Sequence, residues 1–308
     1  MEEQNTSFRH PFTQLLMLVL ITLVCAITFT FLAIAICIVL YRLPADQWNQ
    51  LMNMNNPSCI PAMKFLQIAQ SLSMFVIPPI LFGWFISRNP WKYLNVNRAP
   101  NGKMAAIVVL IGMLIIPAIN LLGLLNQEMR LPGFMAGIEE WMKSAEERAG
   151  DLTDLFLTVN TFPAYLVNLL MIVIIPALGE EFFFRGVLQK IFHQWFKNPH
   201  MAVLFVAIIF SAFHMQFYGF FPRFVLGVLF GYLFLWSGNI WYPIVAHMIN
   251  NFLPVTIAYL SGNNTEPSQL DTLGTGPEAW AWAVPSIILS MAAIAYFYRQ
   301  FKIRNIYE

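Results

Sequence analysis

Residues 165–185 read YLVNLLMIVIIPALGEEFFFR, and this stretch decides how the chain folds. The apolar run from Tyr165 to Leu178 reads as membrane-buried, yet Glu180, Glu181 and Arg185 follow it at once. An ionisable side chain inside a spanning segment costs roughly 2.5–3.5 kcal/mol on insertion scales. Three of them in six positions require partners, a water-filled cavity or a task. Two further polar insertions, His214 and the pair His247/Asn251, interrupt apolar runs downstream. Together they read as one polar site inside a membrane bundle.

The rest of the chain agrees. Hydrophobic residues make up 58% and charged residues 11% of 308 positions, against about 25% charge in soluble domains. A net charge of +1 says nothing about nucleic acid, and no basic run suggests it as a partner. Cys25 and Cys37 share one apolar segment, too far apart to bridge, and Cys59 stands alone, so no disulfide framework is implied. A spanning helix needs roughly 17–25 apolar residues. Eight runs are candidates: Leu15–Leu40, Phe65–Ile86, Met104–Leu125, Phe162–Phe192, Met201–Met215, Pro222–Ser237, Ile240–Leu260 and Ala279–Phe301. The fifth and sixth are short, which suits a bundle interior. The first has no small-residue cleavage site and reads as an uncleaved anchor. Pro78-Pro79, Pro117, Pro176 and Pro254 predict kinks.

Loop charge sets an orientation. Arg88, Lys92, Arg98 and Lys103 follow the second run, Lys190 and Lys197 close the fourth, and Arg299, Lys302 and Arg304 end the chain. Acids dominate after the third run (Glu139, Glu140, Glu146, Glu147, Asp151, Asp154) and after the seventh (Glu266, Asp271, Glu278). The positive-inside rule then places both termini in the cytoplasm of a multi-pass cell-membrane protein. Phe134, Ile138, Trp141, Met142 and Ala145 recur at helical spacing between the third and fourth runs, predicting a helix that lies on the outer leaflet or caps the bundle. Three regions follow: residues 1–160 with the first helices and the outer helix, a core at 161–262, and residues 263–308 with the last loop and helix.

Glu181 and Arg185 are four apart and face each other on a helix. Glu180 sits about 100° round and is left without a local counter-charge. A carboxylate desolvated in this way suits a general base. The bland alternative is a buried ion-pair cluster that only locks helices, and it applies better to Glu181 and Arg185 than to Glu180. His247 and Asn251, also four apart, share one face, and Asn250 on another face predicts a helix–helix hydrogen bond. Counted along their helices, Glu180, His214, His247 and Asn251 lie about 18, 20, 10 and 16 Å from the cytoplasmic ends, one layer of the membrane to within span-boundary error.

At these residues the chain resembles the CPBP family of intramembrane proteases, which includes the type II CAAX prenyl endopeptidases and the bacterial Abi proteins. The pattern E-E-x-x-x-R, F-x-x-x-H, H-x-x-x-N is met by Glu180-Glu181-x-x-x-Arg185, Phe210-x-x-x-His214 and His247-x-x-x-Asn251. The resemblance covers about Phe162 to Leu260. It implies an all-α bundle with an endopeptidase site inside it. Glu180 would be the catalytic carboxylate activating a water, with His214, His247 and Asn251 completing the site and Glu181 and Arg185 supporting it. Its substrate would be a membrane-embedded or lipidated peptide or protein. Zinc held by Glu180, His214 and His247 is an alternative source of the nucleophile, although no H-E-x-x-H signature is present. The rival functions are a non-catalytic immunity or adaptor protein of the same fold, and a proton-coupled transporter, which would show repeated halves.

Overall fold

A computed structural model describes residues 10–40, 59–159, 161–262, 275–276 and 278–301. Glu266, Asp271, Lys302 and Arg304, counted above for loop charge, lie outside the described residues. Every regular element among the described residues is helical. In chain order the principal helices are α1 (Pro11–Leu40), α2 (Ile60–Ser87), α3 (Gly102–Gln127), α4 (Ala136–Leu157), α5 (Phe162–Phe196), α6 (Pro199–Phe213), α7 (Phe220–Ser237), α8 (Trp241–Leu260) and α9 (Ala279–Gln300). The chain is a polytopic, all-helical membrane protein.

Among the described residues seven segments are long and apolar enough to cross a bilayer: α1, α2, α3, α5, α7 with its leading turn, α8 and α9. The fifth run, α6, is short as expected: its 15 residues reach only about 22 Å. The sixth run is longer than expected, because a 3-10 turn at Phe217–Gly219 extends α7 backward to 21 residues. Asn126 of α3 clamps that turn, donating from Nδ2 to the Phe217 carbonyl (3.2 Å) and accepting from the Phe221 amide (2.9 Å).

The prolines act in two ways. Proline lacks an N–H and clashes with the carbonyl four residues back. Ahead of Pro78 and of Pro176 the helix widens into π-turns, Leu72–Val76 and Leu169–Ile174, while α3 breaks at Ile115 before Pro117. Pro254 is carried inside α8. A third π-turn, Phe182–Leu188, contains no proline and directly follows Glu180 and Glu181. Helix entries are fixed by side-chain caps: Asn101 accepts from the Lys103 and Met104 amides, and Asn198 from those of His200 and Met201.

The main core packs Phe182, Phe184, Val187 and Ile191 of α5 against Phe82, Phe210, Phe234 and Ile244. Gly179 lets α5 approach α2 closely, since a Cβ there would stand 2.8 Å from Val76 and 2.9 Å from Phe75. Over one end of the bundle lies α4. Its Phe156 is buried, and the Phe156 carbonyl accepts from Lys64 Nζ (3.1 Å) and Asn168 Nδ2 (2.7 Å). Trp141 packs on Phe217 at 5.2 Å between centroids, and the Tyr218 amide donates to Glu146 Oε2 (3.3 Å). The helix therefore caps the α6–α7 turn, while Phe134 and Ile138 near its start remain exposed.

Candidate active site

The site grows from the junction where α5 leaves its regular turn for the third π-turn. Arg185 Nη1 donates to Glu181 Oε1 at 2.7 Å, and both side chains are fully buried. Arg185 Nη2 crosses to the Gly227 carbonyl of α7 (2.9 Å), and one turn on Gln189 Nε2 repeats the crossing to the Gly231 carbonyl (3.2 Å). The guanidinium lies over Phe210 at 4.6 Å and Phe230 at 5.3 Å. A buried charge survives only when paired and fully hydrogen-bonded, and aromatic faces add cation–π attraction.

Glu181 has a second partner that helical spacing alone did not disclose. His247 Nδ1 lies 2.9 Å from Glu181 Oε1, so Arg185, Glu181 and His247 form one chain from α5 to α8. The His247 ring stacks on Phe230 (5.2 Å, 21°) and meets the edge of Phe210 (6.0 Å, 86°). His214, capping the end of α6, directs Nδ1 at the Phe210 carbonyl (2.9 Å). A carbonyl or carboxylate oxygen only accepts, so both imidazoles carry their proton on Nδ1 and turn Nε2 inward. Both Nε2 atoms face Glu180 Oε2, at 4.0 Å for His214 and 3.9 Å for His247. That oxygen is buried and has no hydrogen-bond partner among the described residues.

Glu180, Glu181, Arg185, His214 and His247 are thus brought together. Asn251 is held one turn further along α8, where its Nδ2 donates to the Ile172 carbonyl (3.0 Å). Pro176 has no N–H to return to that carbonyl four residues back, so Asn251 satisfies a group the proline strands. Asn250 corrects an expectation: instead of bridging helices it donates to Asn251 Oδ1 (3.2 Å). Sequence reasoning missed Phe230, the Gly227 carbonyl, Gln189 and Arg223. One signal was present. Gly227 and Gly231 share the four-residue spacing of Arg185 and Gln189, and small residues so spaced mark a close crossing in membranes.

The donor types are those that hold zinc, and their spacing here is wider than a bound ion sets. Two Nε2 atoms and a carboxylate, with each Nδ1 held from behind, are a familiar ligand chemistry. Tetrahedral zinc with bonds near 2.0–2.1 Å sets neighbouring ligand atoms about 3.4 Å apart, closer than the 3.9 and 4.0 Å found. No group of three among the described residues is placed to hold a metal.

Comparison with known proteins adds the family. Residues 162–253 match the family described as Type II CAAX prenyl endopeptidase Rce1-like. A Bacillus subtilis (strain 168) protein, described as uncharacterized protein YpbD, is 24% identical over 116 residues, 36% of this chain and 54% of that protein. The chain therefore spans about half the length of that curated relative. No solved structure matches. Within this polytopic helical protein, residues 162–253 form a domain of the Rce1-like, type II CAAX prenyl endopeptidase family of intramembrane proteases.

Proposed function

We propose that the site hydrolyses a peptide bond in a membrane-embedded or lipidated substrate, with Glu180 as the general base. The observation that carries this reading is the position of Glu180 Oε2 at about 4 Å from two imidazole Nε2 atoms. A gap of that width is spanned by one water that donates one proton to Glu180 Oε2 and the other to an imidazole Nε2. Glu180 takes a proton from that water, the hydroxide oxygen bonds to the scissile carbonyl carbon, and the carbonyl pair moves onto oxygen. As the C–N bond breaks, Glu180 passes the proton to the leaving amine. Glu181, anchored by Arg185, fixes the His247 ring and its tautomer, and the Phe210 carbonyl does the same for His214. Asn251 keeps the first π-turn of α5 in register beneath the site, and its remaining amide hydrogen is a donor to the developing oxyanion. These steps use the chain's own residues and need no metal. The loop charges support a topology with both termini cytoplasmic, which opens the basic side of the bundle to the cell interior.

The test is quantitative proteomics of membranes from cells carrying the wild type or Glu180→Gln. An uncut substrate should accumulate with the variant, while the protein itself is present at unchanged level. Identical membrane proteomes would instead favour an adaptor role.

A further inference from the structure

A second cation lies against the turn that follows His214 and belongs to none of the three motifs. Arg223 lies in the first turn of α7, four residues beyond the clamped turn that follows His214. A guanidinium in a spanning helix is costly unless it is used. Its partners are neutral: Nη1 donates to the Gln216 carbonyl (3.1 Å) and Nη2 to Gln216 Oε1. Among the described residues no carboxylate forms an ion pair with it, and its partner Gln216 is two residues from His214, whose Nε2 lies 4.0 Å from Glu180 Oε2. Gly219 makes room for it, since a Cβ at that position would collide with the guanidinium. Arg223 is half-buried, and His214 beside it is partly exposed, so the group is reachable from the mouth.

The remainder of the site is rich in acceptors. Glu180 is a carboxylate, both Nε2 atoms present lone pairs, and Arg185 is committed to Glu181 and the Gly227 carbonyl. Asn251 Nδ2 serves the Ile172 carbonyl with one hydrogen, which leaves a single neutral N–H for an oxyanion. Negative charge arriving at this site meets one cation whose bonds are all to neutral groups, and a guanidinium has five N–H donors in all. We propose that Arg223 binds an anionic oxygen of the substrate, either the oxyanion formed at the scissile carbonyl or a carboxylate the substrate carries. The assignment rests on the hydrolytic reading above and adds a cationic donor to the neutral N–H of Asn251.

The test separates the two readings. Reconstituted wild type, Glu180→Gln, Arg223→Lys and Arg223→Gln are titrated with dodecylphosphonate and with its neutral dimethyl ester, and thermal stabilisation is recorded. This arm needs no turnover. The anion should stabilise the first three proteins, the ester none, and Arg223→Gln should lose the effect. Equal stabilisation of wild type and Arg223→Gln, or none in either, overturns the proposal. The second arm uses an S-farnesylated fluorescent peptide as free acid and as amide. A fall in kcat of about 100-fold on both forms assigns the oxyanion. A KM rise confined to the free acid assigns the carboxylate. Unchanged kcat and KM on both forms overturns the role in turnover. Cleavage that persists in Glu180→Gln removes the glutamate mechanism while leaving the phosphonate result to stand on its own.

Discussion

The helices α1 and α5 are both long and apolar, yet they meet different surroundings. In its most apolar window α1 is 17% buried, carries no charged residue and turns Val24, Phe31 and Val39 outward. In α5 the figure is 39%, and Glu181, Arg185 and Gln189 form a stripe four residues apart with no exposed surface. Hydrophobicity cannot sort these helices, because lipid tails are as apolar as a protein core. The polar stripe can, since each of its members needs a partner on another helix. What distinguishes inside from outside in this bundle is where the hydrogen bonds go.

Substitutions in the two helices sharpen the contrast. The largest effect should come from Glu180→Gln, which keeps shape and removes the base: cleavage should fall roughly 10²–10⁴-fold with no change in melting temperature. A parallel loss of melting temperature would return Glu180 to the ion-pair cluster. Next, Arg185→Leu strands Glu181 in a dry interior and should cost about 3–5 kcal/mol, read as lost accumulation and early unfolding in detergent. Asn251→Ala removes one interhelical hydrogen bond, worth about 0.6–1.7 kcal/mol in membranes, and should lower kcat more than it lowers melting. The smallest effect belongs to α1, where Phe31→Leu should stay within about 0.5 kcal/mol of wild type. A large loss there would show that α1 packs against something beyond lipid.

Much of this was legible in the sequence, for local reasons. Apolar length located the spans, and the i,i+4 relation of Glu181 and Arg185 predicted a contact that exists at 2.7 Å. The convergence of Glu180, His214 and His247 followed from counting turns. What remained hidden depends on register between helices. Nothing in H-x-x-x-N says that His247 will meet Glu181, or that Asn251 will answer a carbonyl left open by Pro176 on another helix. Phe230 was unremarkable among 28 phenylalanines until its ring was found against His247. Arg223 lies outside the three motifs and near the end of an apolar run, so nothing in the sequence pattern singles it out.

The shortness of α6 has a consequence for the surrounding lipid. Its exposed side chains, among them Leu204, Phe205 and Ile208, cover about 22 Å of helix, whereas a bilayer's hydrocarbon is about 30 Å thick. Lipids along that flank would have to tilt or shorten, pinching the bilayer beside His214. Pinching costs a fraction of a kcal/mol per Å of mismatch. Reconstitution in short-chain phosphatidylcholine should therefore relax the protein, and long-chain lipid should strain it. The same term would draw the protein toward the thinner membranes of a cell.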